Sequence, residues 1–174
     1  CDTRKVLSQW KYITSEDVPP RLRRKEVGVS IMRTAHETVT LRPEDRFTPL
    51  NDKLESFLAS VGAKNGTVTV YSPHTTLCIK VLEDEVLSLK DISLHLESMA
   101  PRNAGYLHDD LLLRQVPKEE RINGFAHVQS LYFNHSETIP VVGGNMLVGE
   151  WQTVFAVELD PYRERTIYFF FTGA

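Results

Sequence analysis

Leu50, Leu54, Phe57, Leu58 and Val61 recur at the spacing of one helix face, which predicts a first helix with Thr48 as N-cap and Pro49 in its first position. Gly62 stops it. A second helix is expected from Leu87 to Met99, with Leu89, Ile92, Leu96 and Met99 on one face and Pro101 just beyond its end. The rest of the pattern has period two. Gly28 to Met32 and Glu37 to Leu41 read as two strands or one bent ribbon, with His36 as an exposed residue at their junction. Asn65-Gly66 turns the chain into a strand over Thr67 to Ser72, Pro73 ends it by removing a backbone donor, and Leu77 to Leu82 forms the next.

The last third reads as a β meander. Ala126 to Phe133 alternates, with His127, Gln129, Leu131 and Phe133 on one face. Thr138 to Val142 and Met146 to Val148 flank Gly143-Gly144-Asn145 as a hairpin, because glycine and Asn tolerate positive φ. In a further strand Trp151, Thr153, Phe155, Val157 and Leu159 share a face. The final strand, Arg165 to Phe171, is too apolar to be an edge in water and is expected to be buried on both faces or at a subunit interface. Residues 101 to 122 break every periodicity, and long irregular segments in compact domains are commonly functional.

Composition narrows the class. With 174 residues, 41% of them hydrophobic, the chain can bury the core of one globular domain. Residues 1 to 27, where Pro19-Pro20 precedes Arg21, Arg23, Arg24 and Lys25, are set apart as an N-terminal extension, and residues 28 to 174 as the domain. A formal net charge of -3 gives no global positive field for nucleic acid or anionic lipid, so neither nucleic acid nor membrane is an expected partner. Two cysteines make no disulfide framework, no apolar run reaches the length of a membrane span and the first residues lack a signal-peptide pattern. The expectation is a cytoplasmic protein.

Candidate chemistry sits at the edges of the predicted elements. His74 follows an apolar strand into Thr75 and Thr76, His108 lies beside Asp109-Asp110, and His127 follows Asn123. Three neutral imidazoles with an open position can form a water-activating metal centre. Separations of 34 and 19 residues are no local metal signature, so three independently hydrogen-bonded histidines stand beside that reading. Glu83-Asp84-Glu85 is either a solvated turn or the acidic wall of a site, and Asp91 with His95 is an i, i+4 pair that suits an exposed ion pair better than half a metal site. P-loop, dinucleotide and nucleophile-elbow motifs are absent from the sequence.

The ordered set Pro73-His74-Thr75-Thr76, Glu83, Asp91, Tyr106-x-His108, Asn123-x-x-Ala126-His127, Gly149-x-Trp151-Gln152 and Glu158-x-Asp160-x-x-Arg163-x-Arg165 resembles the YjbQ family. The resemblance implies an α+β fold of packed antiparallel β-sheets with about two helices, a homotrimer, and a cleft near the subunit boundary. It implies that His74, His108 and His127 hold a divalent metal, zinc first and magnesium as the alternative. Glu83, Asp91 and Arg163 are the expected catalytic groups, and Asn123, Gln152 and Arg165 the expected ligand-binding ones. The associated activity is weak formation of thiamine phosphate from a pyrimidine diphosphate and a thiazole phosphate, so the expected ligand is a small phosphorylated molecule. A metal-dependent hydrolase with Glu83 or Asp91 as general base, and a non-enzymatic trimeric binding protein, are the alternatives. Leu82 and Glu150 depart from the family pattern beside two of these positions.

Overall fold

The computed structural model describes residues 31–117, 120–161 and 163–174. The expected extension over 1 to 27, and the Gly28 to Ser30 part of the first ribbon, lie outside the described residues. Met32–Ala174 forms one compact unit.

Among the described residues, eight strands form two antiparallel sheets. The first has the order β1-β8-β3-β5-β6, with β1 Arg33–Leu41, β3 Gly66–Tyr71, β5 Ser136–Val142, β6 Asn145–Met146 and β8 Arg165–Gly173. The second has the order β2-β7-β4, with β2 Phe47–Pro49, β4 Leu77–Glu83 and β7 Gln152–Glu158. Three α-helices among the described residues complete an α+β fold: α1 Asn51–Ser60, α2 Val86–Met99 and α3 Gly124–Gln129. The main core lies between the sheets and under α1, where Leu54, Phe57 and Leu58 meet Val68, Ile79, Val154, Ile167 and Phe169. A second core joins Cys78, Phe155 and Val157 to Leu96, Phe125 and Ala126. Strand β7 therefore feeds both cores, with Val154 and Ala156 in one and Phe155 and Val157 in the other. Alternation is the reason, since successive side chains of a strand leave by opposite faces.

Two local expectations are corrected by tertiary pairing. Thr48 and Pro49 do not open α1; they pair with Ala156 and Phe155 as the end of edge strand β2, a place that tolerates a proline. The helix begins two residues after Pro49, with Leu50 at the N-cap. Leu50 donates its N–H to the Val154 carbonyl at 2.8 Å, and Asn51 Oδ1 accepts the Val154 N–H at 3.0 Å, so sheet and helix share one junction.

Ala126 to Phe133 is not a strand. Its first part is α3, and Ser130–Tyr132 is a 3₁₀ turn. The alternation was real but misleading, because the decisive contact is long-range. Buried Gln129 donates to the Ala100 carbonyl at 3.0 Å, an acceptor beyond the end of α2, and to the Leu96 carbonyl at 3.3 Å, which also accepts the Ala100 N–H. A helix delivers Gln129 there while burying Phe125 and Ala126.

Strand β8 is no edge. It lies between β1 and β3, with Ile167, Phe169 and Phe171 buried. Its outer face is partly exposed: Phe170, and Tyr71 on the neighbouring strand, are each 42% exposed, and Tyr71 stacks on Tyr168.

Candidate functional site

The three histidines meet. His74, His108 and His127 line one pocket of about 320 Å³ together with Thr75, Thr76, Arg114, Glu120, Asn123, Arg163 and Arg165. It opens at the end of the β4–β7 ladder where Leu77 faces Glu158.

Each histidine arrives on a different element. The β3–β4 loop is fixed by buried Ser72, whose hydroxyl donates to the Leu77 carbonyl at 2.7 Å and accepts the His74 N–H at 3.3 Å. Strand β3 pairs with β8 only as far as Tyr71 opposite Tyr168. Beyond that point the imidazole of His74 takes over as acceptor, and Thr166 N–H donates to its Nε2 at 3.0 Å. His108 sits in the 3₁₀ turn Leu107–Asp109, and His127 in the last turn of α3. That turn and α3 are bolted together by Asp109, whose Oδ1 accepts the Gly124 N–H at 2.8 Å. Position 124 has no room for a side chain: a Cβ there would fall 2.5 Å from Tyr106 Cβ and 3.0 Å from Asp109 Oδ1. The result is two imidazole rings 4.4 Å apart, His108 against His127.

Beneath the histidines lies a lattice of charge. Arg165, 3% exposed, grips Glu158 through Nε and Nη2, both at 2.6 Å, and Nη2 also donates to Thr76 Oγ1 and the Asp160 carbonyl. Buried Asp160 in turn accepts from Asn123 Nδ2 at 2.9 Å and pairs with Arg121 and Arg163. Such a cluster is expensive to desolvate, and mutual pairing is what makes it tolerable. Asn123 Oδ1 is the one buried side-chain polar atom without a hydrogen-bond partner among the described residues.

This environment disfavours the protonated forms of His74 and His127. Burial pushes the His74 pKa below its usual value, and the Arg165 guanidinium adds to the effect. For His127, burial comes first, followed by His108 and Arg114.

Of the expected site residues, His74, His108, His127, Asn123, Arg163 and Arg165 are brought together. Glu83, Asp91 and Gln152 are not among the lining residues. Glu83 pairs with Gln152 at the opposite end of the β4–β7 ladder, and six strand steps of ~3.3 Å put that end about 20 Å from the pocket. Asp91 is exposed on α2, and Gln152 spends its Oε1 on the Gly149 N–H at 2.8 Å. Glu85 of the acidic run is a helix cap, accepting from Leu87 and Ser88 N–H. His95 packs edge-on against Tyr132, away from the pocket residues.

Arg114 and Glu120 were missed by sequence reasoning. Their only signal was the long aperiodic segment that carries them. Among the described residues no group of three His, Cys, Asp or Glu is placed to hold a metal ion. None of the described helices is long and apolar enough to cross a membrane.

Fold and pocket together define a class: a small α+β protein with two packed antiparallel sheets and a polar site between loop ends. The family model described as UPF0047 protein YjbQ-like matches residues 36–174, and the chain belongs to that family. A UPF0047 protein of Methanothermobacter thermautotrophicus is 33% identical over 118 residues, covering 68% of this chain and 76% of that protein. The UPF0047 protein YugU of Bacillus subtilis is 26% identical over 125 residues, 71% of this chain and 87% of its own length. Among solved structures, a hypothetical protein from Aeropyrum pernix K1 superposes with a TM-score of 0.70 at 31% identity, covering 80% of this chain and 99% of that one. A protein of unknown function from Sulfolobus solfataricus P2 gives a TM-score of 0.71 at 25% identity, with 82% and 99% covered.

Proposed function

We propose that the pocket binds a phosphorylated small molecule and that the protein joins a pyrimidine diphosphate to a thiazole phosphate, forming thiamine phosphate. The observation that carries this reading is the convergence of Arg114, Arg163 and Arg165 with three histidines on one polar pocket. Guanidinium groups recognise phosphoryl oxygens through paired N–H donors, and a pocket of about 320 Å³ falls at the small end of ligand sites. In the reaction the thiazole nitrogen attacks the pyrimidine methylene. The new C–N bond forms as the C–O bond to the diphosphate breaks, and the electron pair leaves with pyrophosphate. Arg114 and Arg163 are the cations placed to meet that growing charge. Arg165 already commits Nε and Nη2 to Glu158, Thr76 and the Asp160 carbonyl, so its role is to orient more than to neutralise. The test is thiamine phosphate formation by wild type, Arg114→Ala and Arg163→Ala, with melting temperature as a control. Losses of roughly tenfold or more at unchanged stability are expected, one tenfold step corresponding to about 1.4 kcal/mol. Equal rates in all three would remove the synthase reading.

Two observations favour a second reading, in which a divalent metal, zinc or magnesium, sits in the pocket. His108 and His127 are 4.4 Å apart by ring centroid, and buried Asn123 Oδ1 has no partner among the described residues. His108 and His127 would hold the ion, with His74 as third donor after releasing the Thr166 N–H. The metal would supply Lewis-acid stabilisation of phosphoryl oxygens. As the side chains stand, the three do not form a ligand set. Metal analysis of wild type beside a His74→Ala, His127→Ala double variant decides the matter, and equal content would end this reading. A hydrolase would have to draw its base from Glu120, the carboxylate that lines the pocket, in place of Glu83 or Asp91, which do not line it.

Assembly as a homotrimer belongs to the same proposal. Its support is the exposed aromatic face of β8 and β3, formed by Tyr71, Tyr168 and Phe170. Sedimentation of the wild type against Phe170→Asp tests it, a trimer in the first and monomer in the second being the expected result.

A further inference from the structure

The three pocket histidines are not chemically equivalent, and hydrogen-bond donors that cannot change role make them so. Thr166 N–H points at His74 Nε2 from 3.0 Å. A backbone amide only donates, so Nε2 must accept and the ring proton of neutral His74 sits on Nδ1. Among the described residues, Nδ1 has no protein hydrogen-bond partner, and His74 lines the pocket.

His108 is fixed in the opposite sense. Arg114 Nη1 lies 3.3 Å from His108 Nδ1 and also donates to the His108 carbonyl at 2.8 Å. A guanidinium never accepts, so Nδ1 is the acceptor and the proton sits on Nε2. The competing arrangement would aim an Nδ1–H at Asp109 Oδ1. That oxygen is 3.7 Å away, beyond hydrogen-bond length, and is already occupied by the Gly124 N–H. His127 is free: among the described residues neither ring nitrogen has a hydrogen-bond partner.

We infer that these two contacts hold His74 and His108 as N–H donors, through Nδ1 and Nε2 respectively, and that the two donors bind an oxyanion, phosphate or diphosphate, in the pocket. A neutral imidazole N–H can bind an anion without adding to the charge of Arg114, Arg163 and Arg165. A nitrogen that carries a proton has no lone pair for a cation, so the same two bonds oppose a three-histidine metal centre. The inference rests on the anion reading of this pocket and specifies which atoms carry it out.

The decisive measurement is a long-range proton–nitrogen correlation spectrum of protein labelled with ¹⁵N-histidine, with His74, His108 and His127 assigned from single His→Asn variants. His74 is expected as the Nδ1–H form and His108 as the Nε2–H form, with His127 averaging. Added inorganic phosphate or pyrophosphate should shift His74 Nδ1 and His108 Nε2 without changing either tautomer. Arg114→Gln should release His108 into averaging and leave His74 unchanged. Removing one donor, in His74→Ala, should weaken phosphate binding roughly tenfold, the loss of one hydrogen bond to a charged group. The opposite tautomer at either residue, or a fixed His108 in Arg114→Gln, overturns the inference even where phosphate binds. Zinc that coordinates His74 and His108 directly also overturns it. If both tautomers are as assigned and neither anion shifts them, the anion reading itself fails and takes the ligand half of this inference with it.

Discussion

The two ends of the β4–β7 ladder are built from the same residue types and differ in what surrounds them. At one end Glu158 is 2% exposed and locked to Arg165, with Asp160, Asn123 and Thr76 closing the network. At the other, Glu83 faces Gln152, both exposed, beside the capping Glu85 and a Trp151 that is 64% exposed. A solvated carboxylate costs little and says little. A buried one has to be matched partner for partner, and the matching groups here also line the pocket or support its walls. Acids near an apolar strand end therefore have no fixed meaning until burial is known.

The largest expected effect breaks the buried end. Glu158→Gln keeps the shape and removes the charge, leaving Arg165 without its counterion in a dry site. A loss of about 3–5 kcal/mol in unfolding free energy is expected by denaturant titration. Glu83→Gln should stay within about 0.5 kcal/mol, as exposed substitutions do. Equal losses would mean that the two ends are not different in kind. Next in size is Gly124→Ala. The added methyl meets the Tyr106 side chain, part of the packed framework rather than a flexible tip, and should cost about 1–3 kcal/mol as overpacking. Because Gly124 also ties α3 to the turn carrying His108, the variant should lose phosphate affinity beyond its stability loss. Unchanged affinity in a protein that still folds would show that the His108–His127 pair tolerates displacement.

Much of this arrangement was legible from the sequence. The face of α1, the span of α2 and most strands follow from periodicity, and the Gly143-Gly144 turn follows from the positive φ that both residues adopt. Misreadings came where a distant partner outweighed a local signal. Thr48-Pro49 reads as a helix start until β7 claims it, and Ala126 to Phe133 alternates like a strand until the α2 carbonyls claim Gln129. In the site, His74 was visible because it follows the end of an apolar strand, and His108 and His127 because each is set among polar groups beside a predicted element. Arg114 was not, since an arginine in an aperiodic loop looks like any solvated charge until its contact with His108 is seen. The roles expected of Glu83, Asp91 and Gln152 came from resemblance, and no spacing argument could have told which end of a seven-residue strand carries the pocket.

Acid provides a smaller perturbation aimed at the pocket end. His74 and His127 have pKa values held below the usual 6.5, first by burial and then by Arg165 for the one and His108 for the other. In the unfolded chain they bind protons more readily than in the fold, so stability falls with decreasing pH. The loss begins near 6.5, the unfolded value, and is complete once pH drops below the folded values. Removing both imidazoles in His74→Asn, His127→Asn should flatten that limb, measured as melting temperature against pH. An unchanged limb would mean that these two imidazoles are not its source.

The smallest expected effect is the sharpest test of the comparison. In a single chain Glu83 and Gln152 are too far from the pocket to touch a ligand there, by about 20 Å along the strand, and Asp91 is not among its lining residues. Glu83→Gln, Asp91→Asn and Gln152→Ala should each leave phosphate affinity and melting temperature within error of wild type if the pocket is complete in one chain. A loss of affinity at unchanged stability can only come from another copy. In a ring of head-to-tail subunits, the exposed acidic end of one chain would abut the arginine-lined end of the next, a heterologous contact that closes when the rotation allows. Mixing settles which case holds. A Glu83→Gln chain combined with a His127→Asn chain would recover binding in mixed assemblies only if the two ends serve one site across a boundary. A pocket complete within each chain would show no recovery beyond the sum of the two proteins measured apart.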